Sequence, residues 1–203
     1  MLRGPRLCVP LHGGLRAGGR GRGDRRVAGD RRRQLRLGLL AAVGQVGGCG
    51  ERVAAPRVNM CGFAAPPLDR VRVGFVGLGM RGPGAVERMA KIRDVDIVAL
   101  CDIRPAGVTQ SQEILAAHGR GPARELTAGP EDWRNLCQMD LDLVYIVTPW
   151  EWHVPMALGA MNNGKHAATE VPAALTIEDC WLLVDTSERT GKHCMMLENC
   201  CYD

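Results

Sequence analysis

From residue 71 onward, apolar positions alternate between short continuous runs and stripes at helical spacing. Val71, Val73, Phe75 and Val76 form a strand-like run. After a glycine-rich turn, Val86, Met89 and Ala90 recur at i, i+3, i+4, which predicts a helix from about Pro83 to Ile92. Val95 to Cys101 reads as a second strand, and Pro105 suits the first turn of a helix that ends near Gly119. The glycine- and proline-rich stretch 119–130 carries a short strand around Ala123 to Thr127, and Trp133, Leu136 and Cys137 mark a short helix. Leu143 to Val147 is apolar throughout, as expected of a parallel strand covered on both faces. Val154, Ala157, Leu158 and Met161 stripe the next helix, which Gly164 closes. Lys165 to Glu170 is then a strand, and Ile177, Cys180, Trp181 and Val184 stripe a helix that opens at Thr176 and stops near Gly191. Lys192 to Glu198 is the last strand. This alternation predicts an α/β fold, a doubly wound parallel sheet of the Rossmann-like kind.

The first 57 residues lack this pattern. They hold thirteen Arg against three acids, a net charge of +10, so with the whole chain at +4 the rest carries −6. They also hold 13 of the 26 glycines and no Phe, Trp or Tyr. Such a segment has little to bury against its ordering entropy, and residues 1–57 are expected to be a disordered N-terminal extension. Residues 58–70 read as a linker and 71–203 as the folded domain. LRAGGRGRGDRRVAGDRRR resembles an arginine–glycine tract that binds nucleic acid, but it has no aromatic to stack on bases, so no nucleic-acid partner is expected. Residues 31–49 have a basic start, an apolar stretch and small residues before Cys49, as in a secretory or lipoprotein export signal; about 30 residues precede them, where a signal should begin near the start. The preferred reading is an extension without a function of its own, with Met60 a candidate true start.

The nine cysteines are an odd number with no C-x-x-C pair, and several fall on apolar strand or helix positions, which favours buried free thiols, no metal site and reducing, cytoplasmic surroundings, with export through residues 31–49 the alternative. No apolar run approaches the 18 or so residues of a membrane span.

The candidate chemistry begins at Gly77, Gly79 and Gly82, a G-x-G-x-x-G between a strand and a helix. Such a turn brings backbone close to a pyrophosphate at the helix's positive end. Asp102 closes the second strand 25 residues after Gly77, where a carboxylate holds the adenosine ribose. It would repel a 2′-phosphate, which favours NAD over NADP, while Arg104 is a competing phosphate partner. Trp150, Trp152 and His153 follow the fourth strand. The tryptophans could wall a cofactor or sugar or simply pack a loop. His153 could carry a proton, touch a ligand or cap the helix. His166 reads as a core or surface residue. Glu170 could accept from ribose or nicotinamide groups, or serve as an N-terminal cap or a solvated carboxylate, and Asn199 stands at a fifth strand end.

At these residues a resemblance becomes plain. Residues from about Phe63 to Asp203 resemble the nucleotide-binding half of the glucose–fructose oxidoreductase/inositol dehydrogenase (Gfo/Idh/MocA) superfamily, through GLGMRG, the Asp102 strand end, Thr148, Pro149, His153 and Ala157, and Gly164-Lys165-His166 leading to Glu170. Within it, GLGMRGPGAVERM, TPWEWHVPMAL, EVPAA and HCMMLENCCYD resemble glycoside hydrolase family 109, the NAD-dependent α-N-acetylgalactosaminidases. The wider superfamily reads Glu-Lys-Pro where this chain has Glu170, Val171 and Pro172, and valine cannot move a proton as that lysine does.

The resemblance implies glycoside cleavage by transient oxidation at C3 of the sugar, elimination of the glycosidic oxygen, water addition at C1 and return of the hydride, with no net oxidation. It implies cofactor contacts at Met80, Arg81, Asp102, Trp150, Glu151, Trp152, His153, Glu170, Val171 and Asn199, and a small-molecule sugar substrate. It also implies a second, sheet-based domain that would begin after Asp203, carry most proton-transfer residues and offer a surface for homo-oligomers. Without it the chain is expected to be inactive. An NAD-dependent sugar or polyol dehydrogenase and a non-catalytic nucleotide-binding fragment are the alternatives.

Overall fold

The computed structural model describes residues 59–198. The proposed extension, the candidate export signal, Asn199 and Tyr202 lie outside the described residues. Six strands make one parallel sheet in the order β3-β2-β1-β4-β5-β6. In chain order they are β1 Val71–Val76, β2 Val95–Cys101, β3 Arg124–Leu126, β4 Leu143–Ile146, β5 His166–Glu170 and β6 Cys194–Leu197. The helices are α1 Gly82–Ala90, α2 Pro105–Ala117, α3 Trp133–Gln138, α4 His153–Asn162 and α5 Ile177–Thr190, with a single 3-10 turn, Trp150–Trp152, leading into α4.

Each strand-to-strand crossover is right-handed by preference, which puts α1 and α2 on one face and α3 to α5 on the other. Contacts of α1 with α2, and of α4 with α3 and α5, agree. The strand order reverses between β1 and β4, so the loops after these strands part to opposite faces and leave a crevice at their carboxyl ends. Val73, Phe75, Leu100, Val86, Val108 and Leu115 form the centre of the core beneath it. Phe75 and Tyr145 stack across β1 and β4 with ring centres 4.7 Å apart. On the linker side, Phe63 packs against His193 at 5.1 Å.

The elements match the periodicity closely, with one informative difference in α5. Its apolar stripe does not turn inward: Ile177 is 73% and Trp181 63% exposed, and Cys180 and Val184 are exposed as well. The helix instead buries Leu183, Thr186 and Ser187. Its ends explain why it still forms. Thr176 accepts a hydrogen bond from the Asp179 amide at 3.1 Å, Glu178 and Asp179 lie in the first turn, and Gly191 closes the helix at φ 60°. Periodicity locates an apolar face; it does not say which neighbour the face meets.

Candidate active site: a dinucleotide crevice

The glycine turn is shaped by close approach. Gly77 has φ +90°, and a Cβ there would lie 2.6 Å from the Val147 carbonyl, so a side chain would collide with the backbone after β4. At Gly82 a Cβ would meet the Gly77 carbonyl oxygen at 2.5 Å, and the glycine lets α1 start directly against the turn. Gly79 is different: the group nearest its missing side chain is the mobile end of Arg104, which leaves the backbone open to a ligand. No side chain caps α1 and no acid occupies its first turn, so its unpaired N–H groups and positive dipole end face the crevice unneutralised. An anion fits that vacancy of charge.

Asp102 is buried at the end of β2. One carboxylate oxygen accepts from the Leu78 amide at 2.5 Å and the other from the Arg104 amide at 2.7 Å. The Arg104 guanidinium stands 3.6 Å away and is mostly exposed. The carboxylate thus braces the glycine turn and the start of the β2–α2 loop.

The ends of β4 and β5 are clasped by His153, which is 1% exposed. Its Nδ1 lies 2.7 Å from the Pro172 carbonyl oxygen and its Nε2 2.8 Å from the Thr148 carbonyl oxygen. Both ring nitrogens face acceptors, so neither is left to reach a ligand; a neutral ring would donate to only one. Pro172 follows Val171 through a cis peptide bond. Glu170 is paired with Arg81 at 3.3 Å, joining the end of β5 to the glycine turn.

These pieces surround one cavity of about 730 Å³. Gly77, Gly79, Met80, Arg81 and Asp102 line one side of it, and Trp150, Trp152, His153, Glu170 and Val171 another. Trp150 is 60% exposed and Met80 97%, so both offer free surface rather than packing. Gly82 acts from beneath as a packing residue, and Glu151 is exposed and does not border the cavity. His166 is remote from it, accepting the His193 amide at 2.9 Å on Nδ1, with its pKa held below the ordinary value chiefly by burial. The Cys101 thiol in the cavity wall is pushed up to about 12, first by burial and then by the Asp132 and Asp102 charges. Among the described residues no cluster of His, Cys, Asp and Glu could hold a metal ion, and no helix is long and apolar enough to cross a membrane.

The family profile described as "Oxidoreductase family, NAD-binding Rossmann fold" matches residues 71–198. The chain belongs to this Gfo/Idh/MocA family. NAD is therefore its cofactor class, and the open helix end, the buried Asp102 carboxylate at the end of β2 and the cavity all fit that dinucleotide.

Among similar proteins, a glycosyl hydrolase family 109 protein of Porphyromonas gingivalis is 56% identical over 142 residues, which is 70% of this chain and 30% of that protein. An alpha-N-acetylgalactosaminidase of Bacteroides fragilis is 49% identical over 148 residues, 72% of this chain and 35% of that protein. The chain thus spans about a third of the length of these curated relatives. In structure it resembles the scyllo-inositol dehydrogenase of Lactobacillus casei solved with NAD(H) and scyllo-inositol, at TM-score 0.57 and 26% identity over 66% of this chain and 38% of that one.

Within this Gfo/Idh/MocA site, sequence reasoning missed several contributors. Gly107 sits in α2 so close to the turn that a Cβ would meet the Leu78 carbonyl oxygen at 2.3 Å. Ile103, Gly129, Pro130 and Trp133 also border the cavity. Gly129, Pro130 and Trp133 reach it because β3 and α3 fold back toward the β2 end, which no local motif records.

Proposed function

We propose that this chain is the NAD-binding part of a family 109-type glycosidase acting on α-N-acetylgalactosaminides, and that alone it binds NAD without cleaving a glycoside. When bound, NAD would supply a reversible hydride acceptor at C3 of the sugar, the chemistry that elimination across C1–C2 and later water addition at C1 require. The chain's own residues hold and orient. The start of α1 receives the pyrophosphate, with Gly79 open beside it, and Asp102 accepts from the adenosine ribose. Trp150 offers a flat exposed wall at the β4 end of the cavity, where nicotinamide and sugar would meet. Arg81 and Glu170 hold β5 to the glycine turn, and His153 is a positioning residue that keeps the β4 and β5 ends together.

The observation that carries this reading is the state of the ionisable groups around the cavity. Asp102 is tied to two amides, His153 to two carbonyls and Glu170 to Arg81, while the Cys101 thiol is pushed up to about 12. Val171 stands where the wider superfamily has a lysine. Among the described residues, none lining the cavity is disposed to take a proton from C2 of the sugar and another to protonate the leaving oxygen. Groups supplied from outside the described residues are consistent with a chain spanning about a third of its relatives' length.

The test is release of the aryl group from an aryl α-N-acetylgalactosaminide by the purified 203-residue chain, with and without saturating NAD. The expected result is no NAD-dependent release. NAD-dependent turnover by this chain would contradict the reading and place the catalytic groups within it. The likeness to an NAD(H)-bound polyol dehydrogenase supports a second reading, an NAD-dependent sugar or polyol dehydrogenase. Net accumulation of NADH from a free sugar would decide for it.

A further inference from the structure

The ladder between β5 and β6 opens on a side chain. The Ala167 amide donates to the His193 carbonyl oxygen at 2.9 Å, and the His193 amide donates to Nδ1 of His166, also at 2.9 Å. An imidazole nitrogen that accepts carries no proton, so this bond needs a neutral His166 with its proton on Nε2. The two imidazole rings have centres 5.2 Å apart, and Phe63 packs on His193 at 5.1 Å. Phe63 is presented by a short turn, in which its amide donates to the Met60 carbonyl oxygen and the Cys61 amide to the Asn59 side chain. Cys61, Gly62 and Ala64 around it are exposed, as are Pro66 to Arg70, whereas Phe63 is half-buried. The hold on this segment therefore passes from Phe63 through His193 to His166.

The charges around His166 come from three elements. Asp142, at the start of β4, attracts the proton, but it already accepts three bonds from Arg72. Lys192 and His193, before β6, oppose it, and Lys165 turns its ammonium to the Asn163 carbonyl oxygen at 2.8 Å. The linker contributes the uncharged Phe63. Burial first, then Lys192 and His193, hold the His166 pKa below the ordinary 6.5, against the pull of Asp142.

We propose that His166 is a pH-sensitive latch: neutral, it fixes the start of β6 and the Phe63 turn packed on it, and protonated, it lets both loosen. A proton on Nδ1 turns the acceptor into a donor, so the His193 amide loses its bond and faces another N–H. The new positive charge also stands toward Lys192. A histidine with a depressed folded pKa adds stability that is complete above its unfolded value, here 6.5, and is lost as pH falls from there through the folded value. The latch lies at the amino ends of β5 and β6, away from the crevice at the carboxyl ends, so it acts on the segment leading into β1 and does not depend on the NAD reading.

The test is nitrogen–proton correlation NMR of the 203-residue chain and of His166→Asn between about pH 8 and 5, with amide exchange measured at both ends. Asparagine offers a side-chain oxygen to the same amide and does not titrate. In the wild type the His193 amide and Phe63 resonances should move together with a midpoint below 6.5. Exchange protection of the His193 amide should fall by roughly three- to tenfold, the worth of one neutral hydrogen bond. In His166→Asn the protection should hold across the range, even where titration of His193 itself shifts nearby signals. The same loss of protection in His166→Asn, or wild-type His193 and Phe63 signals that stay still while the His166 ring takes up a proton, would overturn the proposal. If the variant fails to fold, the wild-type ring nitrogens decide: Nδ1 of His166 must be unprotonated at neutral pH and gain its proton at the midpoint of the Phe63 movement. A protonated Nδ1 at neutral pH, or a separate midpoint, would contradict the latch.

Discussion

The Asp102 carboxylate accepts a hydrogen bond from the Leu78 amide at 2.5 Å, tying the end of β2 to the glycine turn 24 residues earlier. The residue proposed to accept from the ribose therefore also holds the loop proposed to receive the phosphates. Asp102→Ala should leave the Leu78 and Arg104 amides unmatched and lower stability by about 1–3 kcal/mol. Asp102→Asn keeps one acceptor and should lose less. Urea unfolding of the three chains checks the order.

Two glycines should respond in opposite directions to one added methyl group. At Gly107 the methyl would meet the Leu78 carbonyl oxygen at 2.3 Å, and backbone cannot move aside cheaply. Gly107→Ala should cost about 1–3 kcal/mol and weaken NAD binding by displacing the turn. At Gly84, inside α1, the nearest atom is the flexible end of Arg88 at 3.5 Å. Gly84→Ala should stabilise the chain by about 0.5–1 kcal/mol. Thermal melts of both variants test the contrast.

The start of the sheet should show a pH signature. Asp142 accepts from the Arg72 backbone amide at 2.8 Å and from two nitrogens of its guanidinium at 3.0 and 2.9 Å, and these bonds hold its pKa below the usual 3.8. A carboxyl with a depressed folded pKa adds stability that is complete above its unfolded value and is lost as pH falls through the folded one. The stability gap between wild type and Asp142→Asn should be constant near neutrality and shrink below pH 3.8. A gap that does not change with pH would mean the charge contributes nothing.

Thiol chemistry should divide along burial. Burial pushes the Cys101 and Cys137 thiols up to about 12, whereas Cys61 and Cys180 are exposed. Mild alkylation of the folded chain followed by peptide mapping should label Cys61 and Cys180 and spare Cys101 and Cys137. Labelling of Cys101 under folding conditions would show that the cavity wall opens.

Much of the fold was legible because period and punctuation agree. Val95 to Cys101 is a strand to the residue, and Pro105 opens α2 where a proline should. Gly77, Gly79 and Asp102 were legible because each answers a local demand of the turn or strand end. What was not legible depends on approach between distant segments. The Ile177–Val184 stripe has the right period, but which side of α5 meets α4 is set by the sheet edge. Gly107 looks like an indifferent helical glycine until the Leu78 carbonyl is placed over it. His153 by type left a proton carrier, a ligand contact and a helix cap all open, and its two carbonyl neighbours, Thr148 and Pro172, come from segments no local motif brings together.

The central claim is that this crevice holds NAD through an Asp102 that is fixed by the glycine turn and turned toward the ribose. Its most direct test is calorimetric titration of the wild-type chain and of Asp102→Ala with NAD and with NADP. The account predicts one NAD site in the wild type, weaker NADP binding because a 2′-phosphate meets the carboxylate, and loss of that preference in the variant. Equal or tighter NADP binding by the wild type would contradict it and hand control of the ribose to Arg104.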